Sequence, residues 1–467
     1  MNFAEVRFWQ LAFLALAVCL LGRLCVAACR REALPVYDKL GLLGLGLFLL
    51  ASVSWLTFVI FLAVALGTYY GMAWVLTRPE RLRRRYLWLF IPAQLSALLY
   101  YKYADFVCNG VLRLDFASLH GLIIPAGISF YTFQKIAFVL DTLVLNQRLP
   151  KLLDYLNFAA FFPQIVAGPI ERRHDLQPQM DTFRFRWSPQ DLSQGTALIA
   201  LGLYFKCCLA DNFATLFDPS NTRNPFAIWI TSLIFGLRIY YDFAGYSLVA
   251  VGVARCLGIR LTFNFNSPYA STSITEFWRR WHITLSQWFR DYIYLPLGGK
   301  EGGRWWFNLL VVFLVSGVWH GAGWNFVIWG ALHGCMALAH RAVLKRIACP
   351  NWMAWGATMT GVLVAWLCFY ETRSDALQTK LVTLFTPSAY SLQALRASIA
   401  ERNPADWSVF AAMLTLTALT LLAEWRSTRV EGEPYSVLRH PRVLCLLVVL
   451  TVILSPGKNN GFLYFAF

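Results

Sequence analysis

The chain has 467 residues, of which 58% are hydrophobic and only 14% charged. Soluble domains carry roughly a quarter charged residues, so this composition, with a mean hydropathy of +0.51, excludes a soluble globular protein. The net charge of +16 falls in short runs between apolar segments (Arg30–Arg31, Arg78 to Arg85, Arg341 to Arg346), the pattern of cytoplasmic loops beside anionic lipid and not of a nucleic-acid patch.

In chain order, apolar segments of spanning or near-spanning length lie near residues 8–29, 39–53, 55–76, 86–102, 119–141, 194–215, 226–256, 306–321, 324–342, 353–370, 406–424 and 441–456. They predict an all-α, multi-pass membrane protein of about ten to twelve crossings. Phe8 to Ala28 tolerates Arg23 and is followed by no small-residue cleavage site, so a retained first span is expected. No internal repeat or low-complexity linker divides the chain, which reads as a single membrane domain over 1–467.

Residues 154–179 are apolar but broken by Pro163, Gly168, Pro169 and Pro178. Lipid offers no partner for freed backbone groups, so this segment is expected to be broken or re-entrant and packed inside protein. Residues 257–305 are too charged to span and too aromatic for an ordinary loop. A single helix over 275–290 would place Trp278, Trp281, His282, Leu285, Trp288 and Phe289 on one face, and Glu276, Arg279, Ser286 and Arg290 on the other. Eleven cysteines form no CxxC pair; those in apolar runs (Cys19, Cys25, Cys207, Cys208, Cys256, Cys335, Cys368, Cys445) are expected to be small buried hydrophobes.

Two histidines, His282 and His320, sit 38 residues apart in this apolar region. An imidazole in such a setting needs a partner and a purpose, and histidine moves protons near neutral pH. His320 ends an apolar run and meets Gly321-Ala322-Gly323, small residues that permit close approach. His333 and His340 are seven apart on the following helix and share a face, but without HExxH or three converging ligands no metal site is expected. Asp242 and Arg238 are four apart and expected to pair. There is no GxSxG elbow, P-loop or dinucleotide fingerprint. What remains is acid–base chemistry by histidine, and acyl transfer to a hydroxyl fits it. The competing expectation is a polytopic transporter or flippase for an envelope polymer, against which stand the missing inverted repeat and the concentration of buried polar residues in one third of the chain.

Several motifs resemble one family. They are Pro125 to Gln134 (PAGISFYTFQ), Phe161 to Ile170 (FFPQIVAGPI), Tyr240 to Ser247 (YYDFAGYS), Asn264 to Tyr269, Ser273 to Gly299, Ser316 to His333, and the closing Phe462 to Phe467. In this pattern the chain resembles a membrane-bound O-acyltransferase (MBOAT) of the bacterial branch that includes alginate O-acetyltransferase and the D-alanyl transferase of teichoic acids. The resemblance implies a catalytic core over about 100–340, peripheral helices over 1–99 and 341–467, and a tunnel holding the catalytic histidine within a ring of tilted spans. It carries His320 over as that histidine and His282 as its partner, where other branches often have asparagine. Trp319, Asn325, Trp281, Gln287 and Asp242 are the candidate substrate-binding residues. The implied donor is an acyl thioester, acetyl-CoA or an acyl carrier, used as substrate with no bound cofactor. The implied partners are the lipid bilayer, a cytoplasmic donor carrier, a periplasmic SGNH-type relay protein and an exported polysaccharide, at the bacterial inner membrane.

Overall fold

The computed structural model describes residues 3–165, 168–301, 303–400, 402–457 and 460–463. Among them there is no strand; every regular element is helical. Among the described residues, eight helices are long and apolar enough to cross a bilayer: Val6–Cys29, Arg31–Val53, Trp55–Leu76, Pro189–Leu216, Pro225–Cys256, Trp324–Arg346, Asn351–Tyr370 and Pro404–Glu431. Two shorter apolar helices, Trp305–His320 and Pro441–Leu454, add to these. The protein is therefore a multi-pass membrane protein. The first helix shows the solvent it is made for: none of its most apolar window is buried, and Phe13, Leu14, Leu21 and Leu24 all point outward. In water that surface would aggregate; in lipid it is the expected state.

The helices form two compact units, Met1–Ile199 with Val249–Thr262, and Ala200–Leu248 with Phe263–Phe467. In the first, Arg23 reaches Asp38 of the next helix at 2.7 Å, so the cation well inside the first span is paired. The expected span over 119–141 starts later than its hydropathy implies. Its helix is Ile128–Leu143, because Pro125 and the left-handed Gly127 (φ 73) end the preceding loop there. The broken segment is helical only in pieces, Leu152–Ala159, Phe162–Ile165 and Arg173–Asp181, and its residues around Pro163 are buried. Pro178 does not break it; it sits inside the Arg173–Asp181 helix. Val166 and Ala167 of that motif, and Tyr464 to Phe467 of the closing motif, lie outside the described residues.

In the second unit the helices Trp305–His320 and Trp324–Ala342 form a tight antiparallel hairpin around the turn Gly321–Gly323. Glycines make the contact possible. A Cβ on Gly330 would lie 2.5 Å from the Phe313 carbonyl oxygen, and one on Gly317 would collide with that of Phe326. The cysteine expectation holds for Cys208 and Cys368, which are buried, but Cys25, Cys335 and Cys445 are exposed on the outer face of apolar helices. An apolar run marks a residue as lipid-compatible without saying whether protein or lipid covers it.

Gly330→Ala is expected to cost about 1–3 kcal/mol through overpacking, read as a lower melting temperature in detergent. Gly356→Ala, whose added Cβ meets nothing within 4 Å, should be neutral or stabilise by up to about 1 kcal/mol through helix propensity. Equal effects at the two positions would contradict the packing argument.

Candidate active site

The residues that hold the two histidines begin at Asn264. A single amphipathic helix over 275–290 does not form. The chain makes two short helices, Ile274–Arg280 and Ile283–Phe289, broken at Trp281 and His282. His282 is left-handed (φ 42, ψ 56), a conformation that costs a non-glycine residue roughly 1–3 kcal/mol unless its surroundings enforce it. Asn264 enforces it. Its carbonyl accepts from Ile283 N at 2.9 Å and its side-chain Oδ1 accepts from Thr284 Oγ1 at 2.6 Å. Two residues on, Asn266 N donates to the Arg280 carbonyl at 3.0 Å, and the Arg280 guanidinium returns a bond to the Asn266 carbonyl at 3.1 Å. The break is thus clamped on both sides by an extended strip, Asn264–Asn266. The consequence is that His282 and Leu285 still face inward, but the imidazole leaves from the apex of a turn and not from the face of a helix.

His282 is 0% exposed and His320 5% exposed. Both rings lie against one indole. The Trp319 ring centroid is 6.2 Å from that of His282 and 5.0 Å from that of His320, so the imidazoles are no farther apart than the sum of those two distances. Phe243 stands edge-on to His282 at 4.7 Å. Trp329 and Phe369 stand edge-on to His320 at 4.8 and 5.2 Å. Burial pushes the His282 imidazole down to about 3, so it is neutral at physiological pH. A neutral imidazole has one N–H donor and one lone pair, which suits it to orient a hydroxyl or a carbonyl.

The other candidates are placed elsewhere in the same unit. Asn325 donates from Nδ2 to the carbonyls of Cys368 and Phe369, at 3.2 and 3.4 Å. These are among the last carbonyls of the Asn351–Tyr370 helix, which have no partner within it. Asn325 therefore caps that helix and fixes Phe369 against His320. Trp281 stacks on Phe277 at 5.5 Å and packs against Phe265, Tyr269 and Trp366. Asp242 does not pair with Arg238 as expected; Lys206 meets it at 2.8 Å, and Arg238 lies over the Phe217 ring. Gln287 lines a cavity of about 430 Å³ with Arg279, Arg290, Arg341, Trp278 and Ser316. One of its lining residues, Ser316, lies one helical turn before His320.

Sequence reading missed Phe243, Trp329 and Phe369, because aromatic residues in a chain this aromatic give no signal of their own. Asn264 was legible only as part of a motif.

Residues 43–372 match the model of the MBOAT, membrane-bound O-acyltransferase family. The chain belongs to that family. It is an O-acyltransferase, and the transporter expectation finds no support in any of these likenesses. It is 34% identical to the Peptidoglycan O-acetyltransferase of Helicobacter pylori, over 75% of this chain and 73% of that one. It is 34% identical to the Probable alginate O-acetylase AlgI of Pseudomonas putida, over 86% of this chain and 88% of its relative. The Teichoic acid D-alanyltransferase of Bacillus subtilis is 32% identical over 50% of this chain and 63% of its own length.

Two predictions follow from the local geometry. His282→Asn should accumulate and melt like the parent, since asparagine accepts the left-handed region, while His282→Val should lose about 1–3 kcal/mol; equal melting temperatures for the two would remove the backbone argument. Asn325→Leu leaves two buried carbonyls unsatisfied and should cost about 1–3 kcal/mol, seen as a drop in melting temperature.

Proposed function

We propose that this O-acyltransferase moves an acetyl group from a cytoplasmic thioester to hydroxyls of an exported polysaccharide at the bacterial inner membrane, with His320 and His282 as the working pair. The observation that carries this reading is the convergence of both buried imidazoles on Trp319. His320 is the general base: it takes the proton as the acceptor oxygen attacks the thioester carbonyl. The carbon–sulfur bond then breaks, and the thiolate leaves with the proton returned by His320. His282, neutral and clamped, donates to the developing oxyanion or orients the attacking hydroxyl.

The donor arrives through the cavity beside Ser316. Its apolar walls (Ile283, Leu285, Phe289, Leu309, Val312, Phe313) suit an acyl chain or thioester arm, and Arg279, Arg290 and Arg341 at its rim suit the phosphates of coenzyme A or of a carrier-protein arm. Gln287 would touch the donor there, and Trp319 would separate donor from acceptor. Asn325, Trp281 and Asp242 support the walls. The acceptor is reached directly or through a periplasmic SGNH-type relay protein; the names of the relatives, which specify peptidoglycan, alginate and teichoic acid, support an envelope polymer as the final acceptor.

His320→Ala should reduce acyl incorporation into polymer by about 10²- to 10⁴-fold while the protein still reaches the membrane. The measurement is label from an acetyl-thioester donor appearing on polymer in isolated membranes, together with mass analysis of the polymer from cells with and without the gene. Near-normal incorporation by His320→Ala would sink the assignment.

A further inference from the structure

Lys206 lies within the Pro189–Leu216 span and Asp242 within Pro225–Cys256, where charge is costly and needs a reason. The Lys206 ammonium meets three oxygens. It donates to Asp211 Oδ1 at 2.8 Å and to the backbone carbonyl of Asn460 at 2.7 Å, and it forms an ion pair with Asp242 Oδ1 at 2.8 Å. The second oxygen of Asp242 accepts from the backbone N–H of Leu463 at 2.7 Å. Next to Asp211, Asn212 donates to the Leu454 carbonyl at 2.8 Å. The buried cluster is therefore completed by the main chain of residues 460–463 and not by side chains alone.

The held segment has a consequence for His282. Phe462 lies between Asn460 and Leu463, is 2% exposed, and stacks on Tyr246 at 4.4 Å. It also reaches Phe243 at 5.9 Å, and Phe243 is the ring edge-on to His282. Asp242, Phe243 and Tyr246 belong to one turn of one helix. The same turn thus grips the segment by its backbone, receives its aromatic side chain, and presents the wall of the histidine site.

We infer that Lys206, Asp211 and Asp242 form an ionic clamp that seats residues 460–463 behind Phe243, so that Lys206 and Asp242 are positioning residues for acyl transfer, acting on His282 through Phe462 and Phe243. This rests on the reading of His282 given above. The cluster is more than a stabilising ion pair, because two of its bonds go to the main chain of this one segment.

The test is a Lys206→Met/Asp242→Asn double variant, which removes the cation and one of its two carboxylates and so leaves no unpaired lysine, while burial lets the remaining Asp211 carboxyl take up a proton. In the full-length protein in detergent, hydrogen exchange at Leu463 should speed up at least about tenfold. In the same preparation kcat should fall about ten- to a hundredfold, with the donor KM within about twofold. Lys206→Arg, which keeps charge, should recover most of kcat. Unchanged exchange at Leu463, or faster exchange with an unchanged kcat, overturns the inference. Should the double variant fail to accumulate, Phe462→Ala decides: it leaves the clamp intact, so Leu463 stays protected while kcat falls about tenfold or more; an unchanged kcat overturns the inference. His282→Ala in the same assay separates the two levels. Full activity there refutes the role of His282, whatever Leu463 does.

Discussion

His282 holds a full side chain in the left-handed region, and the two hydrogen bonds that Asn264 accepts from Ile283 and Thr284 keep it there. Everything about the candidate site depends on that turn. A helix through 281–282 would have turned the imidazole along a regular face, at a depth set by its neighbours. The broken backbone instead thrusts it out at an apex, where Phe243 and Trp319 receive it. Strain of this kind persists only where surrounding structure over-determines it. The strip Asn264–Asn266 supplies that, and is in turn tied to Thr428 and Tyr435 by hydrogen bonds at 2.8 and 3.2 Å.

Several charges in the apolar interior are engaged in ion pairs, which explains why they are not chemistry. Arg280 pairs with Glu276 one turn away at 2.9 Å, and Lys380 pairs with Glu371 at 2.7 Å while also donating to the Pro219 carbonyl. Lys206 serves two carboxylates and a carbonyl. Each of these three cations meets at least one carboxylate, which offsets the cost of a charge in a low dielectric. Asp242 looked like a candidate for substrate because it was an acid in an apolar run. Its bonds say that it is consumed in structure. The two histidines at the site are packed against ring edges, Phe243 and Trp319 at His282, and Trp329 and Phe369 at His320.

Periodicity and composition made the helical class, the first apolar helix with its Arg23, and the buried breaks around Pro163 legible. The glycine-flanked end of the helix at His320 was legible too, because Gly321 and Gly323 have only one common use there. The break at His282 was not. Trp278, Trp281, Leu285 and Trp288 keep helical spacing across it, so the apolar pattern continues through a backbone that does not; the deciding partner, Asn264, is distant in sequence. The pairing of Asp242 failed for the same reason. Arg238 is near in sequence, but Lys206 is near in space, and local spacing cannot rank the two. The start of the helix at Ile128 was hidden because hydropathy runs on through Leu122 to Ile124 although Pro125 and Gly127 forbid a helix there.

His333 shows how a histidine in this interior is fixed by packing. It is 1% exposed and surrounded by Trp278, Trp329 and Phe313, much like His320. Yet Trp278 donates from Nε1 to His333 Nδ1 at 3.2 Å, and that bond requires Nδ1 to carry the lone pair. The acceptor nitrogen of His333 is therefore spent on a fixed indole. His340, two turns on, meets Thr275 of the same short helix at 2.9 Å through its Nδ1. The pair spaced seven apart thus docks the helix Ile274–Arg280 onto Trp324–Ala342, and so fixes the N-terminal approach to the turn at His282. The histidines that share a face serve as struts, while the two that converge from separate elements on Trp319 keep the arrangement that acid–base chemistry on a shared substrate requires.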